Sequence, residues 1–169
     1  MREFATTVEV TRRIAAPAAR LFELLTSPGR HHEFDGSDML RGVVDDQKIT
    51  AVGDIFTMKM HRLGRDYLMI NYVVDFELDR RIFWQPAPGD LDTAGGDAAR
   101  LGVPAGYSWG FVLAPESDDV TQVSEVFDCG LLENDWIIQR EGGSWINGVH
   151  SVEQSMAETL AKLEILAGN

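Results

Sequence analysis

Basic residues are scarce in this chain and cysteine is almost missing. Lys and Arg number 15 against 27 Asp and Glu, the net charge is −12, and no basic block occurs anywhere in the 169 residues. Nucleic-acid binders need a positive footprint that displaces counterions from phosphates, so no nucleic-acid partner is expected. Anionic membrane surfaces are disfavoured on the same electrostatic ground. No apolar run exceeds four residues, whereas a membrane-spanning helix needs ~20, so no membrane insertion is expected. The opening MREFATTVEV has no apolar stretch of the signal-peptide kind. The single cysteine, Cys129, allows no internal disulfide and fits a reducing compartment, so the expected location is cytoplasmic. Gly-Lys-Ser/Thr is absent, which removes the phosphate-loop reading.

What is present suits one globular domain over 1–169, with 44% apolar and 25% charged residues. Residues 7–14 (TVEVTRRI) alternate, with Val8, Val10 and Ile14 on one face, and predict a first strand. Ala16-Pro17 then opens a short helix carrying Leu21, Phe22, Leu24 and Leu25, and Ser27-Pro28 opens a second that ends near Phe34. From residue 38 the period becomes two. Segments 38–46, 53–62, 65–78, 80–86, 106–114 and 120–129 read as six more strands joined by short turns, hence antiparallel neighbours. Residues 86–106 hold five Gly, three Pro and five Ala, which predicts a long mobile loop. Residues 146–166 place Ile146, Val149, Met156, Leu160 and Leu163 on one stripe, which predicts the one long helix. Such a sheet buries that stripe against its concave face, an α+β architecture.

The order of elements, together with VEVTRRIAAPAARLFELLTS, VGDIFTMKM, YVVDFELDRRIFWQP, YSWGFVL and TQVSEVFD, resembles the START-like or SRPBCC superfamily, in particular its bacterial polyketide cyclase/dehydrase-type members. The resemblance covers about residues 5–166. It implies the helix-grip (Bet v 1-like) fold: a seven-stranded curved antiparallel sheet around one long C-terminal helix, with two short helices after strand one. Members of this superfamily bind lipids, sterols, polyketides or hormones, catalyse cyclisations, or assist chaperones, so fold alone does not choose among these.

Inward parity collects aromatic and sulfur side chains: Phe56, Met58, Met60, Tyr72, Phe76, Trp84, Tyr107, Trp109, Phe111 and Phe127. They are core fillers or the wall of a pocket for a flat apolar ligand. The expected lining is Phe56, Met58, Met60, Tyr72, Trp84, Trp109 and Phe111 from the sheet, with Met156 and Leu160 from the helix. Polar candidates for proton transfer are Glu125 or His32 as base, with Arg12 or Tyr72 stabilising an enolate oxygen. The parity of strand one carries Arg12 inward. Glu125 shares a face with Val123 and Phe127, while the opposite face offers Val120 and Val126, and the sequence leaves open which points in. In the resembled fold the first and last strands are neighbours, so Arg12 facing Glu125 is one expectation. His31, His32 and Asp35 form no strong ligand pair, and His61 has the solvent parity, so neither metal nor cofactor is expected. Cys129 has no adjacent base and reads as a structural thiol.

The leading functional expectation is binding of a small hydrophobic, aromatic or polyketide-like molecule between sheet and helix. A polyketide cyclase/dehydratase acting on such a ligand is the enzymatic alternative. A co-chaperone-like interaction domain, with Trp136, Ile137 and Ile138 as its surface, is the third.

Overall fold

The computed structural model describes residues 3–4, 7–128, 139–141, 144–145 and 152–168. In chain order the elements are β1 (Glu3–Phe4), β2 (Thr7–Ile14), α1 (Ala18–Leu25), a single turn at Pro28–Arg30, α2 (His31–Phe34), β3 (Leu40–Val43), β4 (Ile55–Arg62), β5 (Arg65–Glu77), β6 (Arg81–Pro88), β7 (Ser108–Ser117), β8 (Val120–Asp128), β9 (Gln139–Glu141), β10 (Ser144–Trp145) and α3 (Val152–Ala167). Seven strands form one antiparallel sheet in the order β2-β8-β7-β6-β5-β4-β3, and β1, β9 and β10 form a small separate one. The expected α+β architecture is the one observed. The predicted start of the last helix at 146–151, the Trp136–Ile138 surface and Cys129 lie outside the described residues.

The sheet is curled, and α3 packs along it against β2 and β8 and beside α1 and α2. Its stripe of Met156, Leu160 and Leu163 is almost fully buried, each side chain stabilising the fold by roughly 1.5–3 kcal/mol relative to exposure. The turn after α2 locks onto this helix: Gly36 donates its amide to the Thr159 hydroxyl at 2.9 Å, and the Lys162 ammonium donates to the Asp35 carbonyl at 3.0 Å. A Cβ on Gly36 would run into the Ser155 carbonyl, so only glycine permits this approach.

Two local features decide which side chains point into the curl. Leu63 and Gly64, both with positive φ (52° and 76°), make a two-residue turn between Arg62 and Arg65. That turn pairs Met60 with Tyr67, Met58 with Met69, and Phe56 with Asn71, so Tyr67, Met69, Asn71 and Val73 share the concave face. A bulge between Val73 and Asp75 then shifts the register, bringing Phe76 inward opposite Ile82. The expectation that Tyr72 and Phe76 share the inward parity is therefore corrected. Phe76 points in, and Tyr72, paired with Ile55 and Gln85, lies on the convex side.

The segment after β6 also departs from expectation. It folds back along the sheet rather than hanging free. Gly102 donates its amide to the Pro88 carbonyl (2.9 Å) and Ala105 to the Pro86 carbonyl (3.0 Å). The Asp90 carboxylate accepts from the Leu68 and Thr93 amides, and Ala94 is fully buried. Prolines 86 and 88 cannot donate, but their carbonyls serve this returning chain, which explains prolines inside a strand.

Candidate functional site

The concave face has a packed end and an end where large side chains stay partly exposed. At the packed end Ile14, Leu21, Phe22, Leu24, Leu25, Ile82, Val123, Leu160 and Leu163 are almost wholly excluded from water, and Phe56, Met58 and Phe111 belong to the same cluster. Met60 and Trp84 sit at its margin, half-buried. A second cluster joins Val8, Phe127, Val152 and Met156, with half-buried Val10, Tyr107 and Trp109 packed against it. Cross-strand pairing sets Trp84 beside Trp109 and Trp109 beside Phe127, and the last two rings lie 4.4 Å apart.

The predicted lining residues are thus divided. Phe56, Met58, Phe111 and Leu160 are in the solid cluster, while Met60, Trp84, Trp109 and Met156 border the more open end. Tyr72 belongs to neither: its hydroxyl donates to the Gly102 carbonyl at 2.6 Å and ties the returning segment to the convex face. It therefore cannot stabilise an oxygen inside the curl. Tyr67 and Tyr107, absent from the predicted lining, face the open end. Burial raises the pKa of Tyr67, and it raises that of Tyr107 to about 12, with the neighbouring Tyr67 adding to the effect. Tyr107 is only half-buried by exposure yet crowded by protein on most sides, as a ring on a concave wall is. An open depression of about 710 Å³ begins at Met60 and Tyr67 but runs outward over Asp66, Leu68 and Asp90. It therefore lies across the sheet from β8.

The register of β8 resolves the question the sequence left open. Glu125 pairs with Val10 on β2 and Phe111 on β7, so it points into the curl, while Val126 faces outward. It is 8% exposed, and its Oε2 is buried with no hydrogen-bond partner among the described residues. Burial first, and the charge of Asp35 second, push its pKa well above the ordinary carboxylate value, so its uncharged form is favoured. Arg12 does not face it. Arg12 pairs with Val123, and its guanidinium reaches along the sheet to Glu164 Oε1 at 3.3 Å, 44% exposed. A cation can satisfy its solvation at the sheet end through its long stem, which is why the expected Arg12–Glu125 pair does not form.

Of the two adjacent histidines the structure buries the other one. His32 is exposed on α2 and far from a role as interior base, whereas His31 is 4% exposed. The His31 ring stacks on Trp84 and packs edge-on to Phe56, and its Nε2 lies 2.8 Å from the Leu25 carbonyl. Burial pulls its pKa down to about 4 despite that hydrogen bond. The signal was in the spacing: His31 lies three residues before Phe34, so both fall on one helical face, and His32 falls outside it. Among the described residues no group of three or more His, Cys, Asp or Glu is placed to hold a metal ion. His61 instead lies 2.7 Å from Asp66 at the surface. Among the described residues no helix is long and apolar enough to cross a membrane.

The site therefore combines an aromatic wall, a buried acid with an unmatched oxygen, and two tyrosine rings at the rim. Such a surface can stack a flat molecule and present one hydrogen-bonding group to it. No family model matches the chain. Two Mycobacterium tuberculosis proteins, the uncharacterised Rv0088 and MT0096, are each 30% identical over 115 residues, which is 68% of this chain and 44% of theirs. The chain thus spans less than half the length of these curated relatives. Among solved structures, protein CV1439 of Chromobacterium violaceum superposes with a TM-score of 0.64 at 16% identity, covering 97% of this chain and 98% of that one. Protein MLL2253 of Mesorhizobium loti gives 0.61 at 20% identity, covering 96% of both chains. A Staphylococcus epidermidis protein gives 0.65 at 14% identity, covering 98% and 92%. These structures share the curled-sheet fold, and the likeness extends to fold alone.

Proposed function

We propose that this chain is a START-like (SRPBCC) protein that binds one small apolar molecule, aromatic or polyketide-like, between β6–β8 and α3. The observation that carries this reading is the exposure pattern of the concave face. Trp84, Tyr107 and Trp109 point inward, yet each keeps partial exposure, while the opposite end of the same face is almost dry. An apolar ligand covering these rings gains roughly 25 cal/mol per Å² of buried apolar surface before association costs. The fold shared with CV1439 and its like supports the superfamily assignment, and the lone Cys129 supports a cytoplasmic place of action.

A polyketide cyclase/dehydratase activity is the second reading, favoured by an acid held within an apolar wall, a group able to move a proton once a substrate lies beside it. Native mass spectrometry of freshly purified full chain tests the leading reading. A co-purified small molecule released on denaturation supports it. Bare protein that also fails to bind a neutral naphthalene probe removes it.

A further inference from the structure

Glu125 is the group on the concave face whose chemistry is left unfinished. Along β8 it stands between Val123 and Phe127, and its cross-strand neighbours are Val10 and Phe111. The basic side chain two residues along β2, Arg12, is engaged with Glu164 instead. A buried polar atom without a partner costs free energy, so each one in a native fold calls for a matching group. A carboxylate there would need a cation; a carboxylic acid needs an oxygen that accepts its O–H.

We propose that the bound molecule carries a carbonyl oxygen that accepts a hydrogen bond from the neutral carboxyl of Glu125. This rests on the binding reading above and adds to it the chemical class of the ligand: an aromatic or polyketide-like ketone rather than a plain hydrocarbon or an amine. Three features act together. The surroundings of Glu125 are apolar on both flanking strands, which favours the uncharged acid as hydrogen-bond donor. Its Oε2 is buried and unmatched. The Trp109 and Phe127 rings adjoin it on β7 and β8 and supply the stacking surface for the ring that bears the carbonyl.

The experiment titrates the intrinsic tryptophan fluorescence of the full chain with three molecules of one shape: acetylnaphthalene, isopropenylnaphthalene, in which CH₂ replaces the oxygen, and naphthylethylamine, which is cationic. The ketone is expected to bind about tenfold more tightly than the hydrocarbon, as one buried hydrogen bond provides. Glu125→Gln, whose amide still donates, is expected to keep that preference, and Glu125→Met to abolish it. In the infrared, the carboxyl band missing from Glu125→Gln is expected to shift with the ketone and not with the hydrocarbon. Equal binding of ketone and hydrocarbon, tightest binding of the amine, or a preference that survives in Glu125→Met overturns the inference while leaving the pocket standing. If none of the three binds, the pocket reading itself fails and the inference falls with it.

Discussion

Acidification from pH 7 to pH 5 is expected to weaken the fold through His31. The folded imidazole titrates near 4 against 6.5 for an ordinary histidine, because it is buried against Trp84 and Phe56. Its folded pKa is depressed, so above pH 6.5 both states are neutral and nothing is lost. Below pH 6.5 the unfolded chain takes up a proton that the native state refuses, and the penalty grows until the pH reaches about 4. Linkage then gives a loss of about 2 kcal/mol between pH 7 and pH 5. Glu125 slopes the other way over this range, so the wild-type curve alone does not isolate the effect. The assay is urea unfolding of the wild type and His31→Gln at several pH values between 5 and 7. Glutamine does not titrate, and the contribution of Glu125 is common to both proteins. The gap between the two stabilities should shift by about 2 kcal/mol in favour of the variant as the pH falls. A gap that stays constant with pH would mean that His31 titrates as a solvated histidine, and the dry aromatic box around it would have to be abandoned.

Glu125 has a raised folded pKa, so the native state retains a proton that the unfolded chain has released. Stability from this group therefore falls as pH rises from the ordinary carboxylate range to its native pKa, by about 1.4 kcal/mol per pH unit. Glu125→Gln should erase that slope, and parallel urea curves for the two proteins across pH 5–7 would contradict it. Tyr72→Phe removes the 2.6 Å hydrogen bond to the Gly102 carbonyl; it should cost about 1 kcal/mol and speed hydrogen exchange at the Gly102 and Ala105 amides. Unchanged exchange there would show that the tyrosine does not hold this segment. Met58→Trp forces bulk into the solid cluster at 3% exposure and should cost about 1–3 kcal/mol in denaturant melts while leaving probe binding intact.

The elements were legible because hydrophobic period alone separates them: alternation marks β2, β4 and β8, and the spacing of Met156, Leu160 and Leu163 marks α3. Side-chain direction was less legible where both faces of a strand are apolar. β5 is the clear case. The chain returning from β6 covers its convex face, so Leu68, Ile70 and Tyr72 are as apolar as the true inward set of Met69 and Val73, and the bulge at Val73–Asp75 changes the parity midway. That cover was itself missed, because Gly, Ala and Pro suggest a free loop whereas its order comes from Asp90, Tyr72 and the carbonyls of two prolines. Glu125 could not be assigned from β8 alone, since Val120 and Val126 alternate against Val123 and Phe127. Only the pairing with Val10 and Phe111 decides it.

On the proposed function, the end of the curl bounded by Val10, Trp109 and Met156 holds a molecule rather than more core. Fluorescence titration of wild type and Val10→Trp with the neutral probe phenylnaphthylamine tests it most directly, with circular dichroism confirming that the variant is folded. Saturable one-to-one binding by the wild type is expected, with its loss in a folded Val10→Trp that is less destabilised than Met58→Trp, because space absorbs bulk that a packed core cannot. Absence of saturable binding by the wild type, or equal binding by both proteins, would contradict it.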